Sequence, residues 1–268
     1  MKPEPFTAII LAGDRSPGDP LVKTAGVCCK ALVPVHGKPM VQHVLEVLEQ
    51  SHTVSRLVLC GPPWEALAKE TALMKAVNTE RCRWLESRTS PSRSAAAAMA
   101  TIPENEAILM TTADHALLRQ EIVDYFCTRA HTSKHDVLVA LTDYDQVIRT
   151  YPNTRRTALR FRDGNYSGCN MFAFNTPRAR DIAQFWTRIE SQRKNPLRVI
   201  SAAGWLAVLR YLCGRLSLEA ALHSISTRLG LKIGAVILPF PEAAVDIDTI
   251  ADWALVKEIT GRTRTSDA

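Results

Sequence analysis

The residues best suited to chemistry lie in three short stretches. Near the N-terminus, Leu11-Ala12-Gly13 runs into Asp14-Arg15 and, after a polar loop, into Lys30. Gly13 has no Cβ, so its backbone can approach a ligand closely, and Arg15 and Lys30 bring positive charge to the same loop; together they suit a triphosphate. In mid-chain an apolar run ends in Thr111-Thr112-Ala113-Asp114-His115. Asp114 is the first candidate ligand for Mg²⁺, a cation held by one or two carboxylates plus substrate phosphates. A second carboxylate must come from elsewhere; the third stretch, Val245-Asp246-Ile247-Asp248-Thr249, carries two aspartates. As plain structural residues, each of these aspartates would cap a helix or make a turn.

The elements that must position them follow from hydrophobic period. The β-branched run 8–12 reads as a first strand feeding the phosphate-facing loop, and residues 40–50 read as a helix. Strands are expected at 56–60, 82–85, 107–110, 137–141, 169–174 and 231–238. Helices are expected at 64–77, at 95–100 with Ser94 as its cap, at 121–131 and at 250–259, with a frayed polar tail from Thr260. Alternation of this kind gives an α/β fold with a doubly wound, Rossmann-like and mostly parallel sheet, whose ligands sit at the carboxyl ends of the strands. That rule puts Asp114 where such a sheet presents its ligands. Residues 143–165 are irregular and basic and suggest a two-stranded flap. Residues 177–230 read as a helical insert of about three amphipathic helices, rich in arginine, before the last strand, inside a single domain spanning 1–268.

Composition narrows the function classes. At 268 residues and 46% hydrophobic, the chain can bury a full core. No stretch has the order of a signal peptide and no apolar run approaches a membrane span, so a cytoplasmic location is expected. A formal charge of +6 favours an anionic partner, but aromatics make up only 6% and are not interleaved with a basic run, which argues against nucleic acid. Seven cysteines without zinc-like spacing, Cys28 and Cys29 among them, read as reduced structural thiols. His36, His43 and His223 read as structural or surface residues, and His115 is set apart because it adjoins Asp114 and is placed to orient a water or a metal.

The ordered set Leu11-Ala12-Gly13, Arg15, Lys30-Ala31-Leu32 and Gly37-Lys38-Pro39 resembles the N-terminal signature of the MobA-like nucleotidyltransferases, whose fold is related to GT-A and of the nucleotide-diphospho-sugar transferase type. Two departures stand out: Asp14 replaces the second glycine of that signature, and the loop from Ser16 to Cys29 is long. Asp246-Ile247-Asp248-Thr249 with Asp252 resembles the family's terminal motif, and Asp248 aligns with its metal-binding aspartate. The resemblance implies transfer of a nucleotidyl group from an NTP to a phosphorylated small-molecule or lipid-precursor acceptor, with Mg²⁺ and release of pyrophosphate. Leu11, Ala12, Gly13, Ser94 and Asp114 would then hold the nucleotide, and Asp114 and Asp248 the metal. Lys30 would sit on the α- or β-phosphate and Arg15 on the developing and leaving charge. No general base is required, because a phosphate acceptor arrives ionised.

Asn170 lies on a stretch resembling the family strand that lines the acceptor side; a buried Asn satisfied by backbone is the competing reading. The turn 90–95, with Arg93-Ser94, is closer to the cytidylyltransferases of isoprenoid precursor synthesis and tilts the base towards CTP. The arginines of the insert, Arg193 and Arg198 among them, are candidates for an anionic acceptor, and the same basic segment offers peripheral membrane contact. Two rival readings stand beside this one: a GT-A-type glycosyltransferase using an NDP-sugar, with Asp246-Ile247-Asp248 as an Asp-x-Asp motif, and a non-catalytic nucleotide sensor or membrane-surface scaffold.

Overall fold

Every residue of strand β1 (Phe6–Leu11) is buried, as an apolar strand flanked by partners on both edges and covered on both faces requires. The computed structural model describes residues 4–14, 18–77, 79–182 and 204–266. Beside β1 run β4 (Val54–Cys60) and β6 (Ile108–Thr112), both parallel to it, with Ile9 level with Val58 and Met110. Short strands β2 (Pro34–Val35) and β3 (Lys38–Pro39) pair with each other. β5 (Cys82–Leu85) extends the sheet beyond β4. On the other side, β9 (Gly164–Phe174) runs antiparallel between β6 and β7 (Val137–Asp143), and β10 (Ile233–Leu238) is parallel to β7. The order is β10-β7-β9-β6-β1-β4-β5, with β8 (Leu159–Phe161) folded back on β9. The sheet is mostly parallel, as expected, and the antiparallel β9 is the exception.

Side chains alternate across the pleat, and this divides the core. Ala8 and Ile10 of β1 face helices Met40–Gln50 and Gln120–Thr132. Ile9 and Leu11 face helix Pro91–Met99 and, through Leu222, Ile225 and Leu229, helix Leu218–Leu229. A third cluster joins Leu21, Val33, Val35 and Met40 to Val245, Ile247 and Val256, which fastens the C-terminal segment over the loop that follows β1.

Four expectations about elements need correction. Residues 64–77 form two helices, Trp64–Leu67 and Thr71–Val77, and both Leu67 and Leu73 are fully buried. In one continuous helix, six residues would turn these leucines roughly 240° apart, away from a shared core. The helix expected at 95–100 with Ser94 as cap is Pro91–Met99 instead, capped by Ser90, whose side chain accepts from the Arg93 N–H. The flap expected at 143–165 is reduced to the β8–β9 hairpin, because Asp143 caps a helix, Tyr144–Thr150, by accepting from Gln146 N–H. The last helix runs Ile250–Ser266, past the fraying point expected at Thr260. Of the insert, the described part holds the 3-10 turn Pro177–Asp181 and helices Trp205–Leu212 and Leu218–Leu229.

Candidate active site

The carboxyl ends of β1 and β6 meet through a backbone bond from Ala113 N–H to the Leu11 carbonyl at 3.0 Å. That contact sets the loop after Gly13 beside Asp114. A second backbone bond, from Ile247 N–H to the Asp114 carbonyl at 3.0 Å, ties the C-terminal loop to the same point. Ile247 is fully buried, so its neighbours Asp246 and Asp248 project to different surroundings.

Lys30 occupies the centre. It opens the 3-10 turn Lys30–Leu32, and its ammonium lies 3.3 Å from Asp114 Oδ2 and 2.5 Å from Asp248 Oδ1. Burial alone would depress the ammonium, but the two carboxylates outweigh burial and hold it above its usual value, so it is charged at neutral pH. Its backbone N–H donates to Asp14 Oδ1 at 2.8 Å. Here, then, the residue that replaces the family's second glycine pins the lysine turn. Burial raises the Asp14 carboxyl above its ordinary value, partly offset by that same bond.

Asp114 is held from its own strand by the Thr112 hydroxyl, which donates to Oδ1. Asp246 turns the other way, into a buried ion pair with Arg156 Nη1 and a 2.8 Å hydrogen bond from Asn170 Nδ2. Arg156 also donates to the Asp246 carbonyl at 2.8 Å and to Asp252 Oδ1 at 2.7 Å. Asp252 accepts in turn from Thr249 N–H and Oγ1, while its own N–H donates to Thr249 Oγ1, a reciprocal cap that starts the last helix. Asn170 adopts a left-handed backbone with φ of 48°, a conformation Asn tolerates better than most side chains. Its amide thereby reaches a carboxylate of the C-terminal loop.

Leu11, Gly13, Asp14, Arg88, Pro91 and Ser94 line a cleft beside this centre. Ser94 Oγ accepts from Arg88 N–H at 2.8 Å, so Ser94 shapes the turn facing the cleft, although it caps no helix. At Gly13 a Cβ would fall 2.7 Å from Ser87 Cβ. The neighbouring loop therefore demands glycine there whatever the ligand does. Ala12 is buried, its N–H donating to the Cys60 carbonyl at 2.8 Å, and serves the backbone path.

His115 is 1% exposed, and neither of its ring nitrogens has a hydrogen-bond partner among the described residues. Burial keeps its pKa below the usual histidine value, so the ring is neutral. Ligand atoms of Asp114, His115 and Asp246 lie within 4.8 Å of one another. Lys38, outside the site, pairs with Glu46 at 2.6 Å. All seven cysteines are free; Cys29, driven up to about 12 by burial and Asp14, remains a thiol.

The structure thus gathers Lys30, Asp114 and Asp248 at one point and Leu11, Gly13 and Ser94 along the adjoining cleft. Asn170 stands behind Asp246. Arg15, Arg193 and Arg198 lie outside the described residues. Arg156 was missed by sequence reasoning, being one of several arginines in an irregular stretch whose spacing singles none of them out, and Asp252 entered only as part of the terminal motif, with no role assigned.

No helix among the described residues is long and apolar enough to cross a membrane. Among curated proteins, no relative matches this chain. Among solved structures, a hypothetical transferase from Thermus thermophilus is 27% identical, with a TM-score of 0.76 over 93% of this chain and 99% of that one. CMP:2-keto-3-deoxy-manno-octonic acid synthetase in complex with CTP shares the fold at 14% identity and a TM-score of 0.59, over 97% of this chain and 100% of that one. 4-Diphosphocytidyl-2C-methyl-D-erythritol synthase from Anaerococcus prevotii does so at 12% and 0.57, over 97% of each. The family profile described as the MobA-like NTP transferase domain matches residues 8–228. With that match running from β1 through the insert, the chain belongs to the MobA-like NTP transferase domain family.

Proposed function

We propose that this protein transfers a nucleotidyl group from an NTP, CTP for preference, to a phosphorylated small-molecule or lipid-precursor acceptor and releases pyrophosphate. The observation that carries the reading is the convergence of Lys30, Asp114 and Asp248 at the carboxyl ends of β1 and β6, beside the Gly13 loop. Two carboxylates directed at one positive centre are hard oxygen donors of the kind Mg²⁺ takes, so Asp114 and Asp248 fit as its holders. When bound, that cation would neutralise phosphate charge as pyrophosphate departs.

In this reading an ionised oxygen of the acceptor phosphate attacks the α-phosphorus, the bond from that phosphorus to the β-phosphate oxygen breaks, and the electron pair leaves with pyrophosphate. Lys30 carries positive charge to the phosphates, and Asp14 fixes the turn that aims it. Arg15 is assigned to the leaving group. Asn170 and Asp246 shape the acceptor side. The preference for CTP rests on the turn 90–95 and on the two distant fold neighbours, one solved with CTP and one a diphosphocytidyl synthase. The arginine-rich insert, Arg193 and Arg198 included, is assigned to the anionic acceptor, in the cytoplasm.

Melting temperature in the presence of CTP, GTP, ATP, UTP or NDP-sugars, with and without Mg²⁺, tests this reading, because a ligand bound only to the native state raises apparent stability. A Mg²⁺-dependent rise for one triphosphate, lost in Asp114→Ala and followed by pyrophosphate release on adding phosphorylated acceptors, is the expected result. A rise with NDP-sugars alone overturns it.

A further inference from the structure

Among the described residues, the carboxylates Asp114, Asp246, Asp248 and Asp252 pair with two cations, Lys30 and Arg156. Beside Asp114 in this cluster stands His115, whose imidazole offers two ring nitrogens. Both nitrogens are orphaned among the described residues, at 1% exposure. Folding does not ordinarily strand a donor and an acceptor in a dry place, and a specific orphan in a polar cluster points to a missing partner. A lone pair shut in beside two carboxylates is suited to a metal ion.

The geometry allows it. Ligand atoms of Asp114, His115 and Asp246 lie within 4.8 Å of one another, a span that a small inward shift of side chains closes around one ion. Asp246 gives one oxygen to Arg156 and the other to Asn170, and Asp114 gives its oxygens to Thr112 and Lys30. Each carboxylate oxygen accepts at two positions, so each retains one. The donor set then differs from that assigned to Mg²⁺ above: it contains a nitrogen. Mg²⁺ takes oxygen ligands and keeps its water, whereas imidazole favours first-row transition dications.

We propose that Asp114, His115 and Asp246 form a mixed nitrogen and oxygen site for a first-row transition dication of the Mn²⁺, Co²⁺ and Zn²⁺ class, bound in preference to Mg²⁺ and without nucleotide. The inference rests on the nucleotidyl-transfer reading only in giving Asp114 a second duty, and metal binding is measured apart from turnover so that the two fail separately.

The test is pulsed electron paramagnetic resonance of the full chain with Mn²⁺ alone, no nucleotide being present. Nitrogen coupling from a directly bound imidazole is expected, changing its isotope pattern when the protein is grown with ¹⁵N-histidine. In His115→Gln, with folding checked by melting, the coupling disappears and Mn²⁺ affinity falls at least about tenfold. Asp246→Asn weakens Mn²⁺ binding but keeps the nitrogen coupling. Mn²⁺ bound through oxygen alone, coupling that survives in His115→Gln, or no Mn²⁺ binding by wild type would each overturn the proposal. Pyrophosphate release in any acceptor assay does not bear on these outcomes.

Discussion

Lys30 and Asp248, 218 positions apart in sequence, meet at 2.5 Å, and Asp114 stands 3.3 Å from the same ammonium. One cation thus holds two carboxylates from stretches far apart in sequence. If Lys30 carries charge to the phosphates, Lys30→Met should lower nucleotidyl transfer by about a hundredfold or more, as loss of a single charge-stabilising donor does elsewhere. Asp248, 40% exposed, stays solvated, but Asp114, only 12% exposed, loses the ammonium and keeps the Thr112 hydroxyl, so the melting temperature should fall as well. Pyrophosphate release and a thermal melt on the same preparation check both halves.

Arg156 behaves differently because it is buried. Its side chain is 8% exposed and is shared between Asp246 and Asp252, which are themselves largely covered. Removing one partner of a buried ion pair strands the other, at about 3–5 kcal/mol. Arg156→Met should lose stability of that order in urea unfolding. Arg156→Lys should recover only part of it, since a single ammonium cannot reproduce the guanidinium fork that reaches both carboxylates.

At Gly13 the constraint is steric. An added Cβ would lie 2.7 Å from Ser87 Cβ, so Gly13→Ala forces the two loops apart and should cost about 1–3 kcal/mol. Ser87→Gly removes the obstructing atom. The double variant is expected to recover most of the loss, and a double-mutant cycle on melting temperatures measures the coupling.

Asp124 makes stability depend on pH. Burial pushes its carboxyl up, but hydrogen bonds from Ser51, Thr53 and Gln120 outweigh burial and hold it below the ordinary value of 3.8. Between the two values the native state binds fewer protons than the unfolded chain. The contribution of Asp124 is therefore present above 3.8 and is lost as pH falls through the lowered native value. Asp124→Asn should be less stable than wild type near pH 6, and the gap should close in acid, as read from denaturation midpoints across that range.

Much of the frame was legible because hydrophobic period reports burial directly. Helix Met40–Gln50 and strand Cys82–Leu85 fall where their patterns put them, and Asp114 follows a buried strand as the sheet rule requires. Errors arose where local patterns competed. Ser90 and Ser94 are both serines followed by helix formers, and Pro91 at the first helical position decides for Ser90. The break between Leu67 and Leu73 depends on which face the core presents, which a stretch of apolar residues does not state.

The sequence by itself determined the ingredients: a strand ending in Ala12-Gly13, a lysine after a long loop, an aspartate after a buried strand, and a carboxylate pair before the last helix. These are local or pairwise signals, carried by residue type and period. Only the tertiary structure decided that Asp248 turns to Lys30 while Asp246 turns to Arg156 and Asn170, that Asp14 pins the lysine turn, and that His115 is buried with no hydrogen-bond partner among the described residues. Those outcomes depend on contacts between residues up to 218 positions apart, set when Ile247 packs into the core and fixes the direction of the aspartates on either side of it.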